Sequence, residues 1–177
     1  LSRLAMDAWR EVADFLATPE AYGLAGPVQE IDTSISKVFL AGPRAYKIRK
    51  PLTLGFLDFS SLELRRQDCE REVMLNRRTA PSLYLGVVVV SRETNGRLAL
   101  GGNGAPVEWA VEMRRFDTEA VLDRIAARGG LELELIGKLA RAIAVFHQSI
   151  APEFQYGGAG NFRNTLLLND TEYRIFA

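Results

Sequence analysis

Between residues 28 and 116 the periodicity of the sequence changes twice, and this order limits the folds that the chain can adopt. Residues 28–52 form short β-rich runs broken by glycine and proline, which predicts two or three strands joined by tight turns. Residues 61–78 have helical spacing instead. Residues 83–116 return to strand-like runs, and Asn95-Gly96 between apolar stretches is a strong hairpin signal. The central region is therefore predicted to contain strands, one helix and then further strands.

Helices are predicted on both sides of this region. Apolar residues recur at nearly helical spacing from Met6 to Leu16, and Pro19 ends the pattern. Residues 117–130 and 131–150 are each typical of a helix, and two glycines separate them. The second of these helices has a broad apolar stripe formed by Ile136, Leu139, Ile143, Phe146 and Ile150.

The central helix has a predicted start and a predicted packing face. Ser60 and Glu63 have the spacing of a capping box. One face of the helix carries Leu62, Arg66, Cys69, Val73 and Asn76. Cys69 is predicted to be a small core residue rather than a nucleophile, because a buried thiol without a positive neighbour stays protonated.

Composition and charge exclude several classes of function. Basic and acidic side chains number 22 each, so no overall field attracts nucleic acid or an anionic membrane, and we expect neither partner. A single cysteine and a single histidine exclude an internal disulfide and most metal cages, which favours a reducing, cytoplasmic location. No signal peptide or membrane-spanning run is visible. Because the chain starts at Leu1 rather than methionine, we expect it to be a fragment of something longer.

The predicted order of elements resembles that of a protein-kinase-like small lobe followed by a helical large lobe. Ala45 and Lys47 sit where such a lobe carries its Ala-x-Lys strand, and alternation places both side chains on one face. The resemblance implies that Ala45 leaves room for an adenine ring and that Lys47 reaches the phosphates, which suits a compact charge on a long stem. Arg49 and Lys50 are interpreted as a solvated strand end, although Lys50 competes with Lys47 for the phosphate role.

A kinase-like fold holds this lysine with a glutamate from the following helix. Glu72 is the predicted partner and Glu70, on another helical face, is the alternative; two solvated glutamates would fit the same sequence. Glu112, Met113 and Arg114 are predicted to form a tether that reads adenine through backbone N–H and C=O groups. A core strand that meets a surface loop would fit that segment equally well.

Five stretches carry a more specific likeness: "ISKVFLAG", "AYKIRKP", "GFLDFSSLE", "LNRRTAPSLYLGV" and "VEMRRF". They resemble the aminoglycoside-phosphotransferase-like proteins, especially bacterial chains that join such a kinase-like domain to a P-loop ATPase domain. The resemblance runs from Val28 to Phe146 and implies an α+β fold. A protein-kinase-like N-lobe, an antiparallel sheet with one helix, would be followed by the first helices of a helical C-lobe. The implied segments are an N-terminal helix and lead-in (1–27), a nucleotide-binding N-lobe (28–116) and the start of the C-lobe (117–177).

Two features of the family pattern are missing. The turn "DTSIS" replaces a G-x-G-x-x-G loop, and the hydroxyls of Ser34 and Ser36, with backbone N–H groups, are expected to cover the phosphates there. The chain also lacks an H-x-D-x-x-x-x-N catalytic loop and a following metal-binding aspartate, which phosphoryl transfer needs to orient the acceptor and hold magnesium. We therefore assign no catalytic or metal-ligating residue within the chain.

Residues 157–177 allow two interpretations. In the first they form a degenerate catalytic loop, in which Asn164 is kept and Ala159 and Ala177 occupy the two aspartate positions. In the second, residues 161–176 form a further helix, and the true catalytic loop lies beyond the chain. The second interpretation is favoured.

We predict the ATP-binding part of a kinase-like phosphotransferase. The intact protein would transfer the γ-phosphoryl group of ATP to a hydroxyl of an unidentified small molecule, with Mg²⁺ as cofactor. A competing hypothesis is a non-catalytic, pseudokinase-like module that senses a nucleotide and regulates an attached P-loop ATPase domain. A third is an α+β domain without a nucleotide site, in which Lys47 and Glu72 are a structural ion pair.

Overall fold

The computed structural model describes residues 3–152, 154 and 157–176, and it has an α+β fold. Two compact units are present, Leu1–Arg124 and Ile125–Ala177. The first half of the first unit contains α1 (Arg3–Leu16), β1 (Gln29–Asp32), β2 (Ser36–Ala41), β3 (Arg44–Arg49), β4 (Thr53–Leu54) and β5 (Leu57–Asp58). Its second half contains α2 (Leu62–Asn76), β6 (Tyr84–Arg92), β7 (Leu98–Leu100) and β8 (Ala105–Arg114). The predicted order of strands, one helix and further strands is confirmed.

Six strands form one antiparallel sheet in the order β1-β2-β3-β8-β6-β7, and β4 pairs with β5 in a separate hairpin. The predicted turn at Asn95-Gly96 joins β6 to β7, and Gly96 adopts a φ of +80°, which a residue without a Cβ reaches at little cost. Gly42, with a φ of +53°, turns β2 into β3. The sequence therefore sets both tight turns through glycine.

Each face of the sheet is covered by one helix. Trp9, Val12, Ala13 and Leu16 lie on one side of α1, at the spacing i, i+3, i+4, i+7, and are buried. They form one core cluster with sheet residues that include Phe39, Ala41, Tyr46, Ile48 and Ala110. On the opposite face, Cys69 and Val73 of α2 form a second cluster with Leu40, Ala45, Val111 and Met113. The predicted N-terminal helix is confirmed, and the sheet lies between α1 and α2.

The start of α2 differs by one residue from the predicted capping box. Ser61 is the N-cap, and its hydroxyl accepts the backbone N–H of Leu64 at 3.2 Å. Ser60 lies one residue before the cap, and both its backbone N–H, at 2.9 Å, and its side chain bond the Asp58 carboxylate. Glu63 bonds the side chains of the next helical turn rather than the N-terminal backbone.

The second unit is helical. The chain forms α3 (Leu122–Ala127), which crosses the division between the units, and then α4 (Leu133–Ser149) and α5 (Gly158–Phe176). The predicted helices after residue 117 are confirmed, but the stripe residues Ile136, Leu139 and Ile143 of α4 are exposed. Residues 158–176 are helical, as in the favoured interpretation of this segment; Ala177 lies outside the described residues.

No helix within the described part of the chain combines the length and the hydropathy that crossing a bilayer requires.

Candidate functional site

The centre of the candidate site is an ion pair between β3 and α2. Lys47 Nζ donates to Glu72 Oε1, and the lysine side chain keeps 20% exposure while that of the glutamate keeps 8%. Glu72 lies on the buried side of α2, seven residues after Arg65 and three after Cys69. Glu70 points away and pairs with Arg66 on the surface. Of the two glutamates considered from the sequence, the structure therefore brings Glu72 to Lys47.

Arg49 does not form the solvated strand end that the sequence suggested. Its guanidinium is buried and bonds three side chains: Nε donates to Asp68 at 2.6 Å, one terminal nitrogen donates to Ser36 Oγ at 2.8 Å, and the other donates to Glu72 Oε2. The reason is strand alternation, which puts Arg49 on the same face as Lys47, under α2. The helix supplies two carboxylates at i and i+4 that neutralise this arginine.

A tyrosine from β6 completes the surroundings of Glu72. Burial raises the pKa of the Tyr84 phenol, and the negative charge of Glu72, to which the phenol is hydrogen-bonded, raises it further. Glu72 therefore accepts hydrogen bonds from Lys47, Arg49 and Tyr84. Three donors on one buried carboxylate hold its side chain in place.

Ala45 lies in an apolar row beside this ion pair. In the sheet register Ala45 faces Leu40 on β2 and Met113 on β8, and all three are buried in the cluster under α2. Lys47 lies one step further along the strand, opposite Val38 and on the same face. The structure thus places a buried small residue and a partly exposed lysine two positions apart on one strand face, and their role in nucleotide binding stays a prediction.

The predicted tether belongs to the sheet. Glu112, Met113 and Arg114 are the last three residues of β8, and Met113 is buried. Glu112 accepts a hydrogen bond from the Tyr46 hydroxyl at 3.2 Å, and the Arg114 N–H donates to the Leu83 carbonyl. The strand accommodates these polar side chains because Glu112 bonds Tyr46 on the neighbouring strand β3, and because Arg114 lies at the exposed end of β8. The irregular segment starts at Arg115, whose N–H donates to the Pro43 carbonyl.

The two serines that follow β1 have different surroundings: Ser34 lies in the turn, and Ser36 is the first residue of β2. Ser34 is exposed, whereas Ser36 is buried and its hydroxyl bonds Arg49. Lys50 reaches back to this turn, donates to the Thr33 carbonyl at 2.6 Å and pairs with Asp32. The Ser36 hydroxyl is thus already hydrogen-bonded inside the protein. Lys50 stabilises the turn through its contacts with Thr33 and Asp32 and does not lie beside Lys47.

A second buried ion pair links α2 to the sheet, and sequence reasoning missed it. Arg65 Nε lies 2.9 and 3.0 Å from the two carboxylate oxygens of Glu108, and a terminal nitrogen donates to the Phe59 carbonyl at 3.0 Å. Burial raises the pKa of Glu108, and Arg65 opposes that rise. The signal available in the sequence was a glutamate inside the otherwise apolar run "VEWAV".

Cys69 is a core residue, as predicted. It has no exposed surface, and burial raises the pKa of its thiol to about 12. In the described part of the chain, no group of three or more His, Cys, Asp or Glu side chains is arranged to hold a metal ion. The site therefore combines the Lys47 ammonium group, the neighbouring apolar row that contains Ala45, and the Glu72 carboxylate that holds the lysine.

Comparison with known proteins adds relatives without an assigned activity. No family model matches the chain, and no solved structure matches it. Uncharacterized proteins from Mycobacterium bovis and Mycobacterium tuberculosis are 37% identical to it over 123 residues. That segment is 68% of this chain, whereas it spans only 22% of the length of each relative. The chain thus corresponds to about a fifth of these longer proteins.

Proposed function

We propose that this chain is the nucleotide-binding part of a kinase-like phosphotransferase and that Lys47 binds the phosphates of ATP. One observation carries the proposal: Lys47 is paired with Glu72 of the following helix on the strand face that also presents Ala45. A lysine ammonium has three N–H donors, and Glu72 engages one of them, so Lys47 retains donors for a phosphate. The Lys47 side chain also keeps 20% exposure, so it is not fully sealed from solvent.

The remaining parts of the proposal follow from phosphoryl-transfer chemistry. Mg²⁺ would accompany ATP, and the γ-phosphoryl group would pass to a hydroxyl of a small molecule. The groups that orient the acceptor and hold the metal would come from outside residues 1–177, and the mycobacterial relatives have ample additional length for them. The sequence resemblance also suggests a fused P-loop ATPase domain as a partner and supports the kinase-like interpretation of the fold.

The test is calorimetric titration of Mg-ATP into this chain and into two variants. Lys47→Met keeps the bulk of the stem and removes the charge, and we expect it to weaken binding about tenfold or more, because a charge-assisted hydrogen bond contributes about 1.5–3 kcal/mol. Lys37→Met is the matched control, since Lys37 is also a strand lysine paired with a glutamate, Glu30, at 2.7 Å. It should bind Mg-ATP like the unmodified chain.

Two results would contradict the proposal. If the unmodified chain does not bind Mg-ATP, the pair of Lys47 and Glu72 is structural. If Lys47→Met and Lys37→Met both bind Mg-ATP as tightly as the unmodified chain, the nucleotide lies elsewhere on the protein. Binding by the intact protein without phosphoryl transfer to any hydroxyl acceptor would favour a nucleotide-sensing module.

A further inference from the structure

Arg49 connects four elements of the first unit at one point. Its side chain bonds Ser36 on β2 and both Asp68 and Glu72 on α2, and its cation lies 5.4 Å from the centre of the Phe59 ring. Its backbone carbonyl, on β3, accepts a 2.7 Å hydrogen bond from Trp9 Nε1 on α1. No other role assigned above requires an arginine at this position.

The geometry of Arg49 has a direct effect on Glu72. A guanidinium is planar and rigid, so three bonds to fixed partners define its orientation. One terminal nitrogen of Arg49 binds Oε2 of Glu72, and Lys47 binds Oε1. A carboxylate held at one oxygen cannot rotate freely, and the lysine that bonds the other oxygen is held with it.

Arg49 also changes the electrostatic cost of ligand binding by Lys47. If Lys47 were the sole cation beside Glu72, a shift of the ammonium towards a phosphate would leave a buried carboxylate poorly neutralised. Because Arg49 stays on the opposite oxygen, Glu72 keeps a cationic partner throughout. Asp68 in turn balances the second positive charge.

We propose that Arg49 is a positioning residue for the nucleotide site. It fixes the Glu72 carboxylate, which in turn holds Lys47 in position for a phosphate. When Lys47 moves towards the phosphate, Glu72 still has Arg49 as a cationic partner. This inference rests on the proposed function, because it concerns how Lys47 meets ATP. It goes beyond that function by assigning the phosphate affinity of Lys47 to a residue that does not itself contact the nucleotide.

The test is a double-substitution cycle on nucleotide binding. Arg49→Lys keeps the positive charge but lacks a guanidinium fork, and it is combined with Lys47→Met. Dissociation constants for Mg-ATP and for adenosine are measured for the unmodified chain, both single variants and the double variant. Arg65→Lys is the matched control, because Arg65 is also a buried arginine of the same interface paired with a carboxylate. Circular dichroism verifies that each variant is folded.

We expect Arg49→Lys to weaken Mg-ATP binding about fivefold or more, as a coupling between neighbouring groups typically does, and to leave adenosine binding unchanged. In the Lys47→Met background the same substitution should have no further effect, because Arg49 acts through Lys47. Arg65→Lys should leave both dissociation constants unchanged.

The inference is overturned if Arg49→Lys has no effect, if it has the same effect with and without Lys47, or if Arg65→Lys weakens Mg-ATP binding equally. A failure of the proposed function gives a different result: the unmodified chain then shows no Mg-ATP binding, or Lys47→Met binds as well as it does. In that case the role of Arg49 at a nucleotide site is overturned as well.

Discussion

Arg65 holds both carboxylate oxygens of Glu108, at 2.9 and 3.0 Å, where the glutamate side chain has no exposed surface. Removal of the cation from such a pair leaves an uncompensated buried charge. We expect Arg65→Met to lower the free energy of unfolding by about 3–5 kcal/mol, and Glu108→Gln to lower it less, because glutamine keeps an acceptor oxygen for Arg65. Urea unfolding measures both changes. A larger loss in Glu108→Gln than in Arg65→Met would contradict this account.

The loss in Arg65→Met should depend on pH. Without Arg65, burial is opposed by the backbone N–H of Trp109 but no longer by a cation, so the pKa of Glu108 in the folded state rises further above the unfolded value. A carboxyl with a raised pKa gives stability that is present below its unfolded pKa and is lost as the pH rises through its folded pKa. Urea unfolding of this variant should therefore show a smaller deficit near about pH 5 than near about pH 7.5. A deficit independent of pH would show that Glu108 does not titrate in this window.

Lys47 and Arg49 should differ in their contributions to stability. After Lys47→Met, Glu72 still has Arg49 as a partner, so we expect a loss below about 1.5 kcal/mol. After Arg49→Met, Asp68 and Ser36 lose their donor and Glu72 keeps only Lys47 and Tyr84, so we expect a loss of about 3 kcal/mol or more. Thermal and urea unfolding compare the two variants. The reverse order would mean that Lys47, not Arg49, carries the stability of the network.

Tyr46 should limit stability at alkaline pH. Burial raises the pKa of its phenol to about 12, and the nearby Glu112 carboxylate adds to the rise. The unfolded chain releases this proton near about pH 10, so the stability contributed by Tyr46 is complete below that pH and is lost as the pH rises towards 12. Urea unfolding across this range should show a shallower decline for Tyr46→Phe. An identical decline would place the responsible group elsewhere.

The start of α2 provides a closely matched pair of substitutions. Ser61 caps the helix, whereas the neighbouring Ser60 lies before it. We expect Ser61→Ala to cost about 1 kcal/mol of stability, and Ser60→Ala to change it by less than about 0.5 kcal/mol. Urea unfolding distinguishes these values. Equal losses would show that both hydroxyls serve the helix start.

Local patterns predicted the elements of the first unit, and the resemblance to a kinase-like lobe predicted one contact between them. The Asn95-Gly96 turn and the apolar spacing from Met6 to Leu16 depend on neighbours in sequence, and both were interpreted correctly. Glu72 was preferred to Glu70 from its place in the helix, and the structure agrees on the contact. Its nucleotide-binding role stays a prediction.

The surroundings of this contact could not be predicted, because they depend on how α2 is rotated over the sheet. The sequence around Lys47, Arg49 and Lys50 does not indicate which of the three cations is buried. Arg49 is the buried one, because Asp68 and Glu72 of α2 both pair with it. The Arg65 and Glu108 pair is separated by 43 positions and was not visible to periodicity. The end of β8 was misplaced since its last residues are polar at alternate positions.

The position of each strand in the sheet has a further consequence for self-association. The longest strand, β8 with 10 residues, is hydrogen-bonded on both sides, whereas the outer strands β1 and β7 have only 4 and 3 residues. Short outer strands offer few unpaired N–H and C=O groups to another chain, and Glu30 and Asp32 add charge along β1. The valine-rich stretch of β6 is the segment most prone to form amyloid-like contacts once released. Because β7 pairs with Val90, Ser91 and Arg92 of β6, its detachment would expose Val90, at the end of that stretch, to pairing with another chain.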